Sequence, residues 1–119
     1  MRLLPSLLLL LAFSAHAQSV QLLVQSSPLA GFRYGEGAEL WHQMQVGDAL
    51  DLRAEADNPH DPNAVRVEWR GRKLGYVPRR QNAALAWGLG RGTALRARVS
   101  RLVEHPNPAR RIEFEVYIE

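Results

Sequence analysis

The segment DNPHDPNAVRVEWRGRKLGYVPRR, residues 57–80, encodes a turn-rich loop followed by two strand-like runs. Its first seven residues hold two prolines, two asparagines and two acids. Because Asn58 and Asp61 each precede a proline, both are pushed to extended backbone, and their short side chains can accept from nearby backbone amides as Asx turns. The sequence therefore predicts a loop of fixed shape at residues 57–63, which is the best candidate for a functional site.

Outside this loop the chain has mostly the pattern of β-strands. An apolar run at residues 20–24 and period-two alternation at residues 50–56, 65–69, 95–99 and 112–118 predict strands that each bury one face. Five to six such strands favour a small, closed or partly closed barrel in one domain.

Residues 78–90, PRRQNAALAWGLG, predict a short helix inserted among the strands. Leu85 and Leu89 lie four residues apart, proline suits the first helical position, and glycine suits the end. We expect Trp87 either on the packed face of this helix or beside the site. The predicted fold is therefore mainly β with one or two short helices.

The first 17 residues, MRLLPSLLLLLAFSAHA, resemble a cleavable secretory signal. An arginine at the start, an apolar centre and an A-x-A ending are typical of such signals, and the apolar run is too short for a stable membrane span. We expect an exported protein, periplasmic or secreted, whose domain covers residues 18–119 and keeps no membrane span. The chain has no cysteine, which excludes disulfides and thiolate metal sites.

Charge is unevenly distributed along a chain whose formal net charge is +3. Acids predominate over bases at residues 36–68, whereas residues 70–103 contain arginines and one lysine but no acid. Such a basic half indicates a polyanion partner. The alternative is that these arginines lie on solvated faces and pair with the acidic half.

Metal and catalytic motifs are poorly matched. Asp57, Asp61, Asn63 and Glu68 have part of the spacing of a calcium loop, but Pro62 occupies the position that needs glycine. The histidines are too scattered for a local zinc motif, and no G-x-S-x-G segment is present. We therefore expect no metal, no cofactor and no catalytic residue, with a small hydrolase of phosphorus-containing anhydrides as a minor alternative.

Aromatic and basic residues recur near the predicted loop at Arg33, Tyr34, Tyr76 and Arg79, and His60 lies within it. A carboxylate on a rigid loop can accept from a terminal sugar hydroxyl, aromatic rings can stack on bases, and arginines can bind phosphates. This set of residue types suits the end of a nucleic-acid strand.

The run at residues 57–89, together with GFRYGEG at residues 31–37, resembles the HIRAN domain, which occurs in some helicases and as stand-alone bacterial proteins. The shared features are Asn-Pro-x-Asp, then Asn-Ala-Val leading a strand, then Gly-Tyr-x-Pro before a helix. The resemblance covers roughly residues 31–117. It implies an OB-like β-barrel and, for helicase-linked members, a pocket for the 3′-hydroxyl end of single-stranded DNA.

The resemblance also implies roles for individual residues. Arg33 and Tyr34 would lie on a first binding loop, with the tyrosine stacked on the terminal base. Asp61 would accept from the 3′-hydroxyl, and Asn58 would shape its loop. The expected set of ligand-binding residues also includes His60, Tyr76 and Arg79.

Two non-catalytic functions follow from these observations. The first is a module that binds single-stranded nucleic acid, or another anionic ligand, and captures 3′ ends. The second is an exported interaction domain that uses the same groove for a protein or peptide.

Overall fold

The computed structural model describes residues 21–119, which form one six-stranded antiparallel sheet with two short α-helices. The strands are β1 (Leu22–Pro28), β2 (Ala49–Ala54), β3 (Val65–Trp69), β4 (Arg72–Tyr76), β5 (Leu95–Leu102) and β6 (Ile112–Ile118). Their order across the sheet is β1-β6-β5-β2-β3-β4. The prediction of a mainly β fold with five to six strands is confirmed. The predicted signal, residues 1–17, lies outside the described residues, so export stays a prediction.

The helices are α1 (Gly37–Leu40) and α2 (Ala83–Gly90), and four short 3-10 turns complete the fold. The predicted helix at residues 78–90 begins five residues late. Val77 still donates a backbone hydrogen bond to Val65 of β3, so Pro78 leaves the sheet with extended backbone and precedes a 3-10 turn. No helix within residues 21–119 is long and apolar enough to cross a membrane.

The core is formed by the inward residues of the alternating strands. On β6 the side chains of Ile112, Phe114 and Val116 are fully buried, and those between them are partly exposed. Leu85 of α2 covers the same core, with Leu89 packed at its margin. The alternation predicted at residues 50–56 ends earlier, because Ala54 and Ala56 are exposed where the chain turns into the loop.

One register slip in the β3–β4 hairpin decides which residues of β4 face outward. Val67 pairs with Gly75, but Glu68 pairs with Lys73, so Leu74 is an extra residue on β4. Such a bulge shifts the alternation by one position. Lys73 and Tyr76, three residues apart, therefore share one face of the strand.

The two edges of the sheet meet where the chain leaves β1 and where β4 ends. Ala30 and Tyr76 exchange two backbone hydrogen bonds of 2.9 and 2.7 Å. Gly75 makes this approach possible, because a Cβ at that position would collide with the carbonyl oxygen of Ala30. The sheet is thereby curled into a partly closed barrel.

We predict that Gly75→Ala destabilises the domain by about 1–3 kcal/mol, since the added methyl group must force the two edges apart. Chemical denaturation measures the change. Gly90→Ala is the matched control, because nothing lies within 4 Å of a Cβ there. It should be neutral or stabilise α2 by up to about 1 kcal/mol. Equal unfolding free energies for the two variants would contradict this account of closure.

Candidate functional site

A cavity of about 340 Å³ opens beside the junction of the two sheet edges. Its base is the outer face of β4, with Lys73 and Tyr76, together with Val77, which directly follows the strand. One wall is the segment from Ala30 to Tyr34, and the other is the proline-rich loop from Asn58 to Ala64. The cavity is therefore built on the contact that closes the barrel.

The first wall is held against β4 by backbone hydrogen bonds. Glu36 donates to the Lys73 carbonyl at 2.7 Å, and Gly31 enters the following 3-10 turn with φ of 69°. The turn leaves Tyr34 60% exposed at the cavity mouth. Gly35 packs so tightly on β4 that a Cβ there would lie 2.7 Å from the Leu74 carbonyl oxygen. A larger residue at position 35 would displace Tyr34.

The second wall is the predicted loop, and its Asx turns are confirmed. The side-chain oxygen of Asn58 accepts from the backbone amides of His60 and Asp61 at 2.9 and 3.2 Å. The Asp61 carboxylate accepts from the amide of Asn63 at 2.9 Å. Side chains thus satisfy backbone groups that the prolines leave outside any regular ladder.

Glu55 joins the loop to β4. One of its carboxylate oxygens accepts from Asn58 at 3.0 Å and from the Tyr76 hydroxyl at 2.8 Å. Burial alone would raise the pKa of Glu55, but the hydrogen bonds from Asn58 and Tyr76 and the charges of Lys73 and Arg66 together lower it. The ionised carboxylate therefore fixes the loop relative to the aromatic base of the cavity.

Asp61 lines the cavity, and its side chain is 17% exposed. The second oxygen accepts from the buried Asn82 side chain at 2.7 Å, and Arg79 Nε lies 3.8 Å away. The amide of Asn63 and the side chain of Asn82 lower the pKa of Asp61 against a smaller effect of desolvation, and Arg79 adds to the lowering. A carboxylate has about four acceptor positions, so capacity remains for a ligand hydroxyl.

Two cations flank the aromatic base. Lys73 Nζ lies 4.5 Å from the centre of the Tyr76 ring, within the range of a cation–π contact. The Arg79 guanidinium donates to the carbonyl of His60 at 3.1 Å and is otherwise largely exposed. The cavity thus combines an acceptor, two aromatic rings and two positive charges.

Six of the seven residues predicted for the site line this cavity; these are Tyr34, Asn58, His60, Asp61, Tyr76 and Arg79. Arg33 is exposed on the same 3-10 turn but does not line it. Lys73 and Asn82 line the cavity and were missed. Lys73 belongs to the segment GRK at residues 71–73, which the sequence marks only as part of the basic half. The sequence around Asn82 gives no sign of a hydrogen bond to a carboxylate 21 residues away.

The arginines of β5 are paired, although not with the acidic half of the sequence. Arg96, Arg98 and Arg101 lie 3.3, 3.2 and 4.0 Å from glutamates of the last strand and its end, namely Glu119, Glu115 and Glu113. Such exposed pairs contribute little to stability but neutralise this face. The basic half is therefore not one continuous positive surface.

The residues with the spacing of a calcium loop do not come together as a cation site. Glu68, the twelfth position of that spacing, is buried between Arg53 and Arg66, each 2.8 Å from one of its oxygens. Across the part of the chain that the structure describes, no three His, Asp or Glu side chains are grouped to hold a metal.

The family model described as HIRAN domain matches residues 22–119. A crystal structure of a protein from Lactobacillus plantarum is similar, with 26% identity, a TM-score of 0.70, and coverage of 83% of this chain and 95% of that one. The crystal structure of the HIRAN domain of human HLTF shares the fold at 19% identity and a TM-score of 0.61, covering 85% and 80%. No curated protein matches.

We predict that Asp61 contributes to stability in a pH-dependent way. Its folded pKa is lowered, so its contribution is fully present above its unfolded pKa of about 4 and is lost as pH falls through the lower folded value. Asp61→Asn should therefore be less stable than the parent at neutral pH, and the difference should shrink in acid. Urea unfolding across this pH range measures both.

Asn82→Ala is the companion variant, because it removes one donor to Asp61 but keeps the carboxylate. It should show a smaller pH-dependent difference of the same sign. Parallel stability curves for Asp61→Asn and the parent would contradict the hydrogen-bonding role of Asp61.

Proposed function

The chain belongs to the HIRAN domain family, and we propose that it is a binding module that takes the 3′ end of a single nucleic-acid strand into the cavity beside β4. Family membership supports nucleic-acid binding. The similarity to the HLTF domain supports the same fold. The 3′-end capture rests on this chain's own residues.

One observation carries the proposal: a fixed carboxylate and two cations line a single cavity between aromatic rings. Asp61 is held by Asn63 and Asn82, so its remaining acceptor capacity has a defined direction. It can accept from a terminal sugar hydroxyl, while a terminal phosphate would place negative charge against it. Lys73 and Arg79 are placed to attract the phosphates that precede the end.

The rings provide contacts that do not depend on base identity. Tyr34 stands exposed at the mouth, and stacking on such a ring contributes about 1–3 kcal/mol per base. The Tyr76 hydroxyl donates a hydrogen bond to Glu55, so the ring cannot leave the cavity without breaking that bond. We therefore expect a preference for a strand end rather than for a sequence.

We predict that a short strand with a free 3′-hydroxyl binds about 10- to 100-fold more tightly than the same strand with a 3′-phosphate, because Asp61 accepts from one and repels the other. Fluorescence anisotropy measures both affinities. A strand with a 5′-phosphate adds the same charge far from Asp61 and should bind like the unmodified strand.

Asp61→Ala should remove most of this discrimination. Tyr34→Ala should instead weaken both strands by similar factors, since it acts through stacking. Equal affinities of the parent for the 3′-hydroxyl and 3′-phosphate strands would exclude end capture by Asp61.

We predict a salt dependence that identifies the cations bound to phosphate. For single strands the slope of log affinity against log salt changes by about 0.7 for each phosphate that the protein neutralises. Lys73→Gln and Arg79→Gln should each make the slope shallower by about that amount. Arg101→Gln is the control, because this arginine lies beside Glu113 on the outer face of β5. A slope near zero in the parent would favour a protein or peptide partner instead.

A further inference from the structure

Trp87 is the most exposed of the large hydrophobic residues in the described part of the chain, with 67% of its surface accessible. Leu85 and Leu89 hold the opposite side of α2 against the core. Burying apolar surface is favourable, so a tryptophan exposed to this degree does not serve the packing of the described domain. It lies outside the cavity, and the proposed end capture makes no use of it.

Arg91 makes this tryptophan suitable for a nucleic-acid base. Its guanidinium lies 4.2 Å from the centre of the Trp87 ring. A guanidinium on an indole leaves the opposite ring face for a base, and its remaining donors can reach a phosphate. Trp87 and Arg91 are four residues apart at the end of α2 and so project on the same side.

Exposed positive charge flanks α2 along the chain, since Arg80 precedes the helix and Arg91 follows it. Residues 70–103 contain no acid, and among the described residues neither Arg80 nor Arg91 has a carboxylate oxygen within 4.0 Å. Both arginines are exposed. A polyanion is therefore the partner whose charge fits Arg91 beside Trp87 and Arg80 at the start of the helix.

The first turn of α2 lies next to the cavity. Arg79 and Asn82 line the cavity, and α2 begins at the next residue. Ala83 and Ala84 are exposed and small and Leu85 is buried, so no bulky side chain stands on the exposed side of the first turn. Trp87 lies about 8 Å along the helix axis from Asn82 and about 140° around it, so a strand from the cavity must cross the exposed first turn, a path of at least about three nucleotides at roughly 3.4 Å each.

We propose that Trp87 and Arg91 form a second subsite, where a base a few nucleotides before the captured 3′ end stacks on the open face of the indole. This inference rests on the proposed function, since the strand reaches α2 from the cavity. Strands long enough to reach Trp87 gain affinity that a dinucleotide does not have.

The test compares a dinucleotide with a strand of about six nucleotides, which spans the distance from the cavity to Trp87. Trp87→Ala should weaken the longer strand about 5- to 100-fold and leave the dinucleotide unchanged. Trp87→Phe should restore most of the affinity, because a phenyl ring also stacks. Val46→Ala is the matched control, since Val46 is 64% exposed and should leave both affinities unchanged.

Fluorescence gives an independent readout. Trp69 is buried and Trp41 is partly buried, so quenching on binding of the longer strand should come mainly from Trp87 and should be lost in Trp87→Phe. Thermal melting checks that each variant is folded.

Three results would overturn the subsite. If Trp87→Ala binds both strands as the parent does, the subsite alone fails and end capture stands. If it weakens both strands equally, Trp87 acts through the fold rather than by stacking. If the parent binds neither strand, the proposed function and the subsite fail together.

Discussion

The backbone pairing of Ala30 with Tyr76 is the contact on which the site depends. It joins the two edges of a sheet whose other strand contacts would permit an open shape. The same pairing puts the Tyr34 segment and the proline-rich loop on opposite sides of β4. Gly75 permits the approach by having no side chain. The contact that closes the barrel therefore also forms part of the cavity, so a change that opens the two edges also removes the site.

Glu55 connects this closure to the chemistry of the loop. Its carboxylate bridges Asn58 in the loop and Tyr76 at the closing strand, so the loop wall cannot move independently of the base of the cavity. Asp61 is fixed in the same way, between the loop's own backbone and the side chain of Asn82. Ordering the groups before the ligand arrives lowers the entropy cost of binding. The acids of this site thus act first as structural acceptors, and Asp61 keeps capacity for a ligand.

The loop and the strands could be predicted from the sequence because their causes are local. Prolines after Asn58 and Asp61 restrict the backbone, and alternating apolar residues mark each strand. Lys73 and Asn82 were missed because their placement depends on distant parts of the chain. The bulge at Leu74 turns Lys73 to the face of Tyr76, whereas plain alternation puts it on the other face. Asn82 meets Asp61 through a tertiary contact between residues 21 apart in the chain. The helix starts later than predicted because Val77 stays paired with β3.

Charge segregation in the sequence does not survive folding unchanged. The arginines of β5 face glutamates of β6 and the chain end, so attraction for a polyanion is much reduced on that face. Lys73 and Arg79 stay at the cavity, Arg80 lies in the 3-10 turn before α2, and Arg91 directly follows the helix. Attraction between charges decays within about 10 Å at ordinary ionic strength, so only cations near the ligand count. The cations that keep exposed positive charge therefore lie at the cavity and at the two ends of α2, and under the proposed function they would favour a strand that runs from the cavity past this helix.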